Sequence, residues 1–519
     1  MNHLLTFIFL GKMLGRAPAS LLLFVKSGKK LAPRIRPNFP KVSNFRKVEM
    51  NSRRQLFAVF FLLPALAFAQ GDFSKSYITV ENISLTGNKR TKPEIILREL
   101  DFKTGDTIAL ATLTSRLEQN QFNLMNTGLF TVAKIYYKTW EGETNRIGLQ
   151  IDLTESWYVF PFPIVELADR NFNVWWDDYD HSLRRLNLGV RFYHTNFTGR
   201  KDQLKAVAQV GFTKKFELIY TLPFFNKRRN LGLNLNFLHT REKEIGYNTL
   251  ENKLLFHRNA DDPLLRRFRF GAGLLFRRQL DIYHQWNLAW HHNIIHESVP
   301  QELNPDFFLD GLHQQYLALS YDFAMDKRDI KPYPMHGFLL ATSITAEGLG
   351  ISDDVNSVNL TAQWRQYIPA SKRWNIELIF KEKAGLIRQK QPYYQSTALG
   401  YEQDYIRGYE YYVIDGLDYV YHKGSLRFEL FNRDINWGKY ALLDAFKVMP
   451  VKIFLALHNE VGYVNNPYYN AGNSLSNNLL WGTSAGVDVV IYYDKVFNIE
   501  YSRNRLGEHG LFLHWTFSF

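Results

Sequence analysis

Apolar and polar residues alternate one by one along most of the chain from residue 157 onward. In one stretch, residues 186–193, the apolar residues are Leu186, Leu188, Val190 and Phe192, and the residues between them are largely polar. A period of two is typical of a β-strand with one apolar face, because successive side chains point to opposite sides of a strand. Seventeen segments have this pattern: 157–167, 186–193, 201–213, 215–223, 230–242, 247–258, 264–278, 286–291, 313–326, 336–347, 355–368, 374–387, 419–433, 447–463, 480–493, 495–503 and 510–519.

The number of these segments favours an all-β transmembrane barrel over residues 157–519. A tilted spanning strand needs about 9 to 11 residues, so the region is long enough for sixteen strands and their connections. Bacterial single-chain barrels have an even number of strands. We therefore expect about sixteen antiparallel strands, with one of the seventeen segments outside the barrel. An alternative interpretation of segment 157–167 is a linker that precedes the barrel.

The preceding region, residues 75–156, has a different pattern. A strand-like run at 77–85 is followed by a helix that begins near Pro93 and by a second helical segment at about 110–125. Two further strand-like runs then lie at 129–139 and 146–153. The order β-α-α-β-β predicts one small α+β domain, which lies before the barrel.

The N-terminus has the features of a secretory leader. Residues 50–69 combine Arg53 and Arg54 with a short apolar run and the small-x-small pattern Ala67-Phe68-Ala69, which is typical of a signal peptide. A signal peptide begins near the start of translation, so we predict that Met50 initiates the protein and that residues 1–49 are an upstream extension. A translated basic extension of 49 residues is the alternative.

The composition agrees with a cell-envelope barrel. Aromatic residues make up 15% of the chain, with 29 tyrosines, and the chain contains no cysteine. Without cysteine, the chain has no disulfide framework, thiolate nucleophile or cysteine-ligated zinc site. The net charge of +13 lies mostly before residue 70, because residues 1–49 hold ten lysines and arginines but a single acidic residue, and residues 50–69 add Arg53 and Arg54. The rest of the chain is nearly neutral, so no nucleic-acid partner is predicted.

The first functional signal is an arginine-glycine-aromatic motif in a tyrosine-rich loop, from about residue 388 to 418. The motif comprises Tyr405, Ile406, Arg407, Gly408 and Tyr409. It resembles the signature of the sixth extracellular loop in the BamA/TamA-type outer-membrane assembly and translocation superfamily. In that superfamily, the loop folds back into the barrel lumen.

Three further features resemble the same superfamily. The turns Thr86-Gly87-Asn88-Lys89-Arg90 and Asn126-Thr127-Gly128-Leu129-Phe130 make the small domain similar to a POTRA domain, although a generic α+β domain has the same element order. A charged turn with later prolines contains Asp326, Arg328, Asp329 and Gly337, and its simpler interpretation is a solvated turn. The last strand carries Leu511, Leu513, Trp515, Phe517 and Phe519 on one face, which resembles the insertion signal of outer-membrane barrels.

The resemblance implies a role in outer-membrane protein insertion or polypeptide translocation, without enzymatic activity or a cofactor. The expected partners are the outer-membrane bilayer and unfolded outer-membrane or secreted polypeptides, and accessory periplasmic or lipoprotein subunits are compatible with this role. The POTRA-like domain is expected in the periplasm of a Gram-negative-type envelope. Two alternatives remain open: a two-partner-secretion-like exporter, and a passive pore or transporter with the same architecture.

A buried arginine needs an acidic partner, and the superfamily places one on a strand after the loop. Asp488 and Glu429 both fall on the face that points into the lumen. The position that matches the acidic residue of the superfamily is Arg427, with Glu429 two residues further on. We therefore predict that Arg407 pairs with Asp488.

Two other patterns carry no function in our interpretation. Gly482-Thr483-Ser484-Ala485-Gly486 has the letters of a nucleophile elbow, but a strand-like run continues after it, whereas the elbow requires a helix. His291 and His292 point to opposite faces of a strand, so we predict no metal site there.

Two prolines mark the first barrel strand. Pro161 and Pro163 lie two residues apart, so both missing N–H groups fall on the same edge of the strand. We predict that this edge faces the last strand across a weak seam.

Overall fold

The computed structural model describes residues 77–141, 144–167, 183, 186–211, 213–259, 261–309, 311–351, 354–401, 404–441, 447–492 and 495–517. The predicted upstream extension and signal peptide lie outside the described residues. The described residues, apart from Ala109–Ala111, belong to one compact unit. No helix of the described chain is long and apolar enough to cross a membrane.

The N-terminal domain contains a four-stranded sheet and two α-helices. Its elements are β1 (Tyr77–Thr86), α1 (Pro93–Arg98), β2 (Thr107–Ala109), α2 (Leu113–Met125), β3 (Phe130–Glu141) and β4 (Arg146–Glu155). The strand order is β2-β1-β4-β3, with β1 and β4 parallel and β3 and β4 antiparallel. The structure therefore has the expected element order with one short additional strand, β2.

The core of this domain forms around its central strand. Ile147, Leu149 and Ile151 share one face of the central strand β4 and are each 0% exposed. Gly87 follows β1 with a φ of 85°, and a Cβ atom there would lie 1.8 Å from the carbonyl oxygen of Leu153. The Thr-Gly-Asn turn therefore needs glycine at this position, both for its backbone conformation and for its close approach to β4.

The described residues from Val159 onward contain a sixteen-stranded antiparallel sheet, which confirms the predicted barrel fold. Its strands are β5 (Val159–Leu167), β6 (Leu186–His194), β7 (Gln203–Gly211), β8 (Lys214–Leu222), β9 (Leu231–Glu242), β12 (Leu265–Phe276), β13 (Ile282–Ile295), β14 (His313–Asp326), β15 (Gly337–Glu347), β16 (Ser357–Pro369), β17 (Trp374–Gly385), β20 (Asp418–Asn436), β21 (Val448–Asn465), β22 (Leu479–Ile491), β23 (Lys495–Asn504) and β24 (His509–Phe517). Each strand pairs with the next one in this order, from β5 at one end to β24 at the other.

Among the described residues after β5, four short strands lie outside the barrel sheet. They are β10 (Glu244–Leu250), β11 (Lys253–Arg258), β18 (Thr397–Leu399) and β19 (Ile414–Asp415). The strands β10 and β11 form a hairpin with positive φ at Glu251 and Asn252, which is the geometry of a tight two-residue turn. Segment 247–258 is therefore the one that does not span, because alternation alone does not distinguish a short hairpin from a spanning strand. Segment 157–167 contains β5, so the linker interpretation was wrong.

The alternation along each barrel strand separates two environments. On β8, Phe216 and Leu218 are exposed on the outer face, whereas Glu217 between them is 6% exposed and pairs with Lys205 on β7. The apolar outer face suits contact with lipid, and the polar inner face forms hydrogen bonds and ion pairs across neighbouring strands.

The connections between strands alternate between the two ends of the barrel. At one end, short turns contact the N-terminal domain: Arg98 donates hydrogen bonds to the carbonyl oxygens of Arg229 and Arg277, and Asn126 donates one to that of Asp329. The opposite end carries the longest described connection, residues 386–417, which contains β18 and β19. Short periplasmic turns and longer extracellular loops are typical of outer-membrane barrels.

Candidate functional site

The connection between β17 and β20, here called the lumen loop (residues 386–417), folds into the barrel. Ile406 and Tyr409 at its tip are 1% and 3% exposed. Ile406 packs in a cluster with Tyr421 of β20 and Leu480 of β22, among other buried residues. The arginine-glycine-aromatic motif is thus held against the inner wall of the sheet.

Arg407 forms ion pairs with two buried glutamates. Its Nε donates a hydrogen bond of 2.7 Å to Oε2 of Glu500 on β23, and its Nη1 donates to Oε1 of Glu460 on β21. Its backbone N–H donates to the other oxygen of Glu460, at 3.0 Å. Glu460 and Glu500 are 0% and 2% exposed, so the guanidinium compensates two carboxylates that water does not reach.

Further groups support the two glutamates. Lys423 of β20 lies with its Nζ 3.4 Å from Oε2 of Glu460 and donates a hydrogen bond of 2.6 Å to the carbonyl oxygen of Tyr405. Ser484 of β22 donates a hydrogen bond of 2.9 Å to Oε2 of Glu500. The arginine site therefore joins the loop tip to four adjacent strands, from β20 to β23.

The predicted pairing of Arg407 with Asp488 was wrong, and Glu429 is not the partner either. Asp488 is buried, as its inward face requires, but it accepts hydrogen bonds from the hydroxyl of Tyr333 at 2.6 Å and from Asn498 at 2.7 Å. Glu429 accepts one from Asn432 beside a β-bulge. Asp488 lies three residues from the periplasmic end of β22, and six residues, or about 20 Å, from Gly482, which contacts Arg407.

The side of the strand on which a residue lies does not by itself identify Glu460 and Glu500 as the partners of Arg407. Both fall on inward positions of strands that follow the loop, as Asp488 does. The missing information was height along the barrel axis: Glu460 and Glu500 lie nearer than Asp488 to the extracellular ends of their strands. Counting residues from each predicted extracellular turn would have favoured them.

Gly482 explains part of the glycine-serine-glycine pattern. A Cβ atom at Gly482 would lie 1.8 Å from the carbonyl oxygen of Arg407, so the loop tip occupies the space of a side chain. Ser484 lies within β22 and donates its hydroxyl to Glu500, and the strand continues to Ile491. The pattern thus serves the docking of the loop, and it has no helix after the serine.

A second group connects the loop to the last strand. Carboxylate oxygens of Glu410 and Glu500 and a ring nitrogen of His514 on β24 lie within 4.8 Å of one another, and this is the one group in the described chain with a spacing suited to a metal ion. His514 Nε2 lies 3.2 Å from Glu500 and 3.8 Å from Glu410, so an imidazolium also fits between the two carboxylates. The ring of Tyr405 stacks on His514, with 5.2 Å between the centroids.

The predicted turn motif builds a second lumen contact at the opposite end of the barrel. Arg328 donates two hydrogen bonds to Asp326, and Asp329 accepts one from the backbone N–H of Met335. Gly337 has a φ of 98°, and a Cβ atom there would lie 2.0 Å from the carbonyl oxygen of Lys327. These contacts shape residues 327–336 into a folded turn rather than a freely solvated one.

Tyr333 of this turn inserts into the lumen, where it is 7% exposed. Its hydroxyl donates to Asp488, and the guanidinium of Arg427 lies over its ring, 4.4 Å from the centroid. Arg427 in turn pairs with Glu377 on the neighbouring strand β17. The basic residue at the position where the superfamily has an acid therefore belongs to this second site.

An ion cluster outside the membrane holds the N-terminal domain against the periplasmic turns. Glu99 accepts hydrogen bonds of 2.7 and 2.8 Å from Arg277, and Nζ of Lys201 lies 3.8 Å away. Burial raises the pKa of Glu99, but the charges of Lys201 and Arg277 outweigh it and lower the pKa to about 2. Burial lowers the pKa of Lys201 to about 8.

The two prolines lie on the edge of β5 that does not face β6. The N–H of Thr195 donates to the carbonyl oxygen of Tyr158, in register with the pairing of β5 and β6. In an antiparallel pair, alternate residues direct their main-chain groups to the partner strand. Even-numbered residues of β5 therefore bond to β6, and Pro161 and Pro163 direct their ring nitrogens to the other edge.

The terminal strand β24 contains Trp515 and Phe517, whereas Phe519 lies outside the described residues. Among the residues that the structure describes, no hydrogen-bonded ladder joins β24 to β5. Within the described sheet, the outer edges of β5 and β24 are therefore the two edges without a neighbouring strand.

Comparisons with known proteins address the family. The "Omp85 superfamily domain" family matches residues 196–444, and the POTRA family described as "Surface antigen variable number repeat" matches residues 78–156. No curated protein matches the chain.

Solved structures with a similar chain path include BamA from Haemophilus ducreyi lacking POTRA domains 1–3, with 15% identity, coverage of 85% of this chain and 84% of that chain, and a TM-score of 0.43. CdiB from Escherichia coli has 11% identity, coverage of 86% and 91%, and a TM-score of 0.42. CdiB from Acinetobacter baumannii has 12% identity, coverage of 84% and 72%, and a TM-score of 0.43.

The two family matches together span more than half of the chain, and they coincide with the N-terminal sheet domain and with much of the barrel. Families of this type place the barrel in the outer membrane and the POTRA domain in the periplasm, and their fold is that of a transport or assembly barrel. The chain belongs to the Omp85 superfamily, as an outer-membrane barrel with a periplasmic POTRA domain.

Proposed function

We propose that this protein inserts barrel proteins into the outer membrane or translocates polypeptides across it, with the client strand handled at the seam between β5 and β24. The observation that carries the proposal is the edge of β5, where Pro161 and Pro163 remove two hydrogen-bond donors. In a closed barrel, a proline in place of an N–H donor leaves a carbonyl oxygen of the neighbouring strand unpaired. Each unpaired main-chain group in lipid costs free energy. A seam that separates to admit a client strand needs weak pairing at this place.

The lumen loop supports this proposal from the other side of the seam. Tyr405 stacks on His514 of β24, and Arg407 holds the loop to Glu500 of the preceding strand. The loop thus fastens β23 and β24 to the inner wall of the barrel, so β24 keeps support when its outer edge is unpaired. The outer edge of β24, with which a client strand would pair, is therefore held in a fixed position.

The POTRA domain supplies a second edge for an extended client. Strand β3 lies at the edge of the POTRA sheet and pairs with β4 alone among the described strands. Tyr136, Tyr137 and Trp140 of β3 are 43%, 55% and 46% exposed. An edge strand with exposed aromatic residues binds an extended peptide by main-chain hydrogen bonds, with little demand on client sequence.

A disulfide across the seam tests the proposal. The natural chain has no cysteine, so Val165→Cys can be combined with Leu511→Cys or Leu513→Cys in a clean background. We expect the oxidised, locked protein to lose most of its ability to fold an unfolded eight-stranded barrel into liposomes, and reduction to restore it. The control is Ala272→Cys with Leu288→Cys, whose positions are directly paired on the bonded strands β12 and β13.

Full activity of the locked seam would overturn the proposal. A large, steady ion conductance that the lock leaves unchanged, together with no effect on client folding or export, would favour the passive pore. Loss of client export with intact client folding would favour the two-partner-secretion-like exporter.

A further inference from the structure

Three basic residues lie directly opposite one another on adjacent strands at the extracellular end of the barrel. Lys214 of β8 is paired with Arg241 of β9, and Arg241 is paired with Arg266 of β12. We infer that this row binds a phosphate group of an outer-leaflet lipid, a phosphorylated glycolipid of the lipid A type. The row spans two strand spacings, or about 10 Å.

The side chains of the row point away from the lumen. All three residues are exposed and share the strand face of the exposed apolar residues Phe216, Leu235 and Phe270. The neighbouring residue Arg267 has the opposite orientation, and it pairs with Glu242 on the inner face. The row is therefore presented to the membrane and not to the lumen.

No carboxylate compensates the row among the described residues. None of the three cations has an ion-pair partner within 4.0 Å in the described chain, although Asp261 and Asp262 precede β12. Like charges directly opposite one another on neighbouring strands destabilise a sheet. Two successive like-charge pairs without an acidic neighbour are explained if an anion lies between them.

A band of aromatic rings fixes the height of the row relative to the bilayer. Phe216, Phe237, Phe268 and Trp290 form a chain of ring contacts across four strands, with centroid distances of 5.8, 5.2 and 5.3 Å. Aromatic bands of this kind lie at the membrane interface. The cations begin two residues, or about 7 Å, beyond the band on its extracellular side, which is the level of lipid headgroups.

Cations do not occupy this position on every strand, although Arg503 does so on β23. The strands β15, β16 and β17 carry Ala346, Val358 and Ala384 at the outward position one residue from the extracellular end, where β9 and β12 carry arginine. Guanidinium groups bind phosphate through paired N–H donors, and an ammonium group adds charge beside them. A phosphate monoester at the headgroup level matches this set in both charge and position.

The test measures lipid A binding to the full-length protein in detergent micelles by native mass spectrometry. We expect Lys214→Gln, Arg241→Gln and Arg266→Gln together to weaken binding about tenfold to a hundredfold, since each basic residue near a membrane surface adds to anionic lipid binding. A control with Lys227→Gln, Arg228→Gln and Lys372→Gln removes three exposed cations from periplasmic turns and should bind lipid A like the natural protein. Arg241→Gln alone should give an intermediate loss.

Two further ligands distinguish the source of the phosphate. Dephosphorylated lipid A should bind the natural protein as weakly as lipid A binds the triple variant, and inorganic phosphate at millimolar concentration should not displace lipid A. Equal binding of lipid A by the triple variant and the natural protein overturns the inference. Tight binding of the dephosphorylated lipid, or complete displacement by inorganic phosphate, overturns the assignment to a lipid phosphate.

Discussion

The barrel lumen is occupied from both ends, and the two contacts differ in where their charges come from. At the extracellular end, the lumen loop supplies the cation, Arg407, and the wall supplies Glu460 and Glu500. At the periplasmic end, the wall supplies the ion pair of Arg427 and Glu377, and the turn supplies the ring and hydroxyl of Tyr333.

This difference predicts unequal consequences when each segment leaves the lumen. Withdrawal of the lumen loop leaves two buried carboxylates with fewer cations, which is costly. Withdrawal of the periplasmic turn leaves the pair of Arg427 and Glu377 intact and releases Asp488, which still has Asn498 as a donor. We therefore expect the extracellular contact to cost more free energy to break than the periplasmic contact.

Removal of the loop cation should have the largest effect. Arg407→Ala leaves Glu460 and Glu500 buried without their main partner, and breaking a buried ion pair costs about 3–5 kcal/mol. We expect rapid cleavage of residues 386–417 by added protease and loss of client folding. Arg388→Ala is the control: this arginine at the base of the loop pairs with Asp418 but is 55% exposed, so its loss should have little effect. An intact, protease-resistant loop in Arg407→Ala would contradict the conclusion that Arg407 holds the lumen loop in the barrel.

Two variants test whether Arg407 requires Glu460 in particular or any buried acidic residue of the lumen. Glu460→Gln should release the loop to protease, because the neutral amide cannot compensate Arg407 and Lys423, at a cost of about 2–3 kcal/mol. Asp488→Asn should leave loop protection unchanged, because Asp488 contacts the periplasmic turn instead. A release of the loop by Asp488→Asn equal to that by Glu460→Gln would show that the two sites are coupled.

The anchor between the POTRA domain and the barrel should fail in acid. The pKa of Glu99 is lowered to about 2 from the ordinary value of 4.5, so its stabilising effect is complete above pH 4.5 and is lost as the pH falls toward 2. Dyes on cysteines introduced at Lys103 and Lys372 should report a change in energy transfer within this window. Glu99→Gln should remove that pH dependence, and a transition that persists in this variant would assign it to other groups.

The close contact between the loop backbone and β22 can be tested by adding one methyl group at Gly482. Gly482→Ala places a carbon 1.8 Å from the carbonyl oxygen of Arg407, so the loop tip must move, at a cost of about 1–3 kcal/mol. Gly424→Ala on β20 is the control, because the nearest atom to its new carbon lies 3.7 Å away. Protease protection of the loop should fall in the first variant and not in the second.

The smallest effect is expected at the periplasmic contact. Tyr333→Phe removes the hydrogen bond to Asp488 but keeps the ring beneath Arg427 and leaves Asn498 as a donor, so the loss should be about 1.5 kcal/mol, the lower end for a hydrogen bond to a charged group. Loop protection should stay as in the natural protein, and the steady ion conductance should rise slightly as the turn opens more often. A loss of loop protection in this variant would show that the extracellular and periplasmic contacts are not independent.

Much of the architecture was predictable from local pattern. Strict alternation identified the barrel strands and their inward faces, and Asp488 is indeed buried on that face. The error at segment 247–258 has a local cause, because a hairpin with one packed face alternates in the same way as a spanning strand. The position of the two prolines on one edge of β5 also followed from period two, and the bond from Thr195 to Tyr158 shows which edge it is.

The sequence by itself determined the secondary structure, the side of each strand that a residue occupies, and the arginine-glycine-aromatic motif that fills the lumen. The tertiary structure decided which acids meet Arg407. Glu460, Asp488 and Glu500 are equivalent by parity, but they lie at different heights on a tilted, staggered wall, and the loop tip reaches only the upper two. Parity is a property of neighbouring residues, whereas height across a lumen depends on register accumulated over many strands, which short-range alternation does not record.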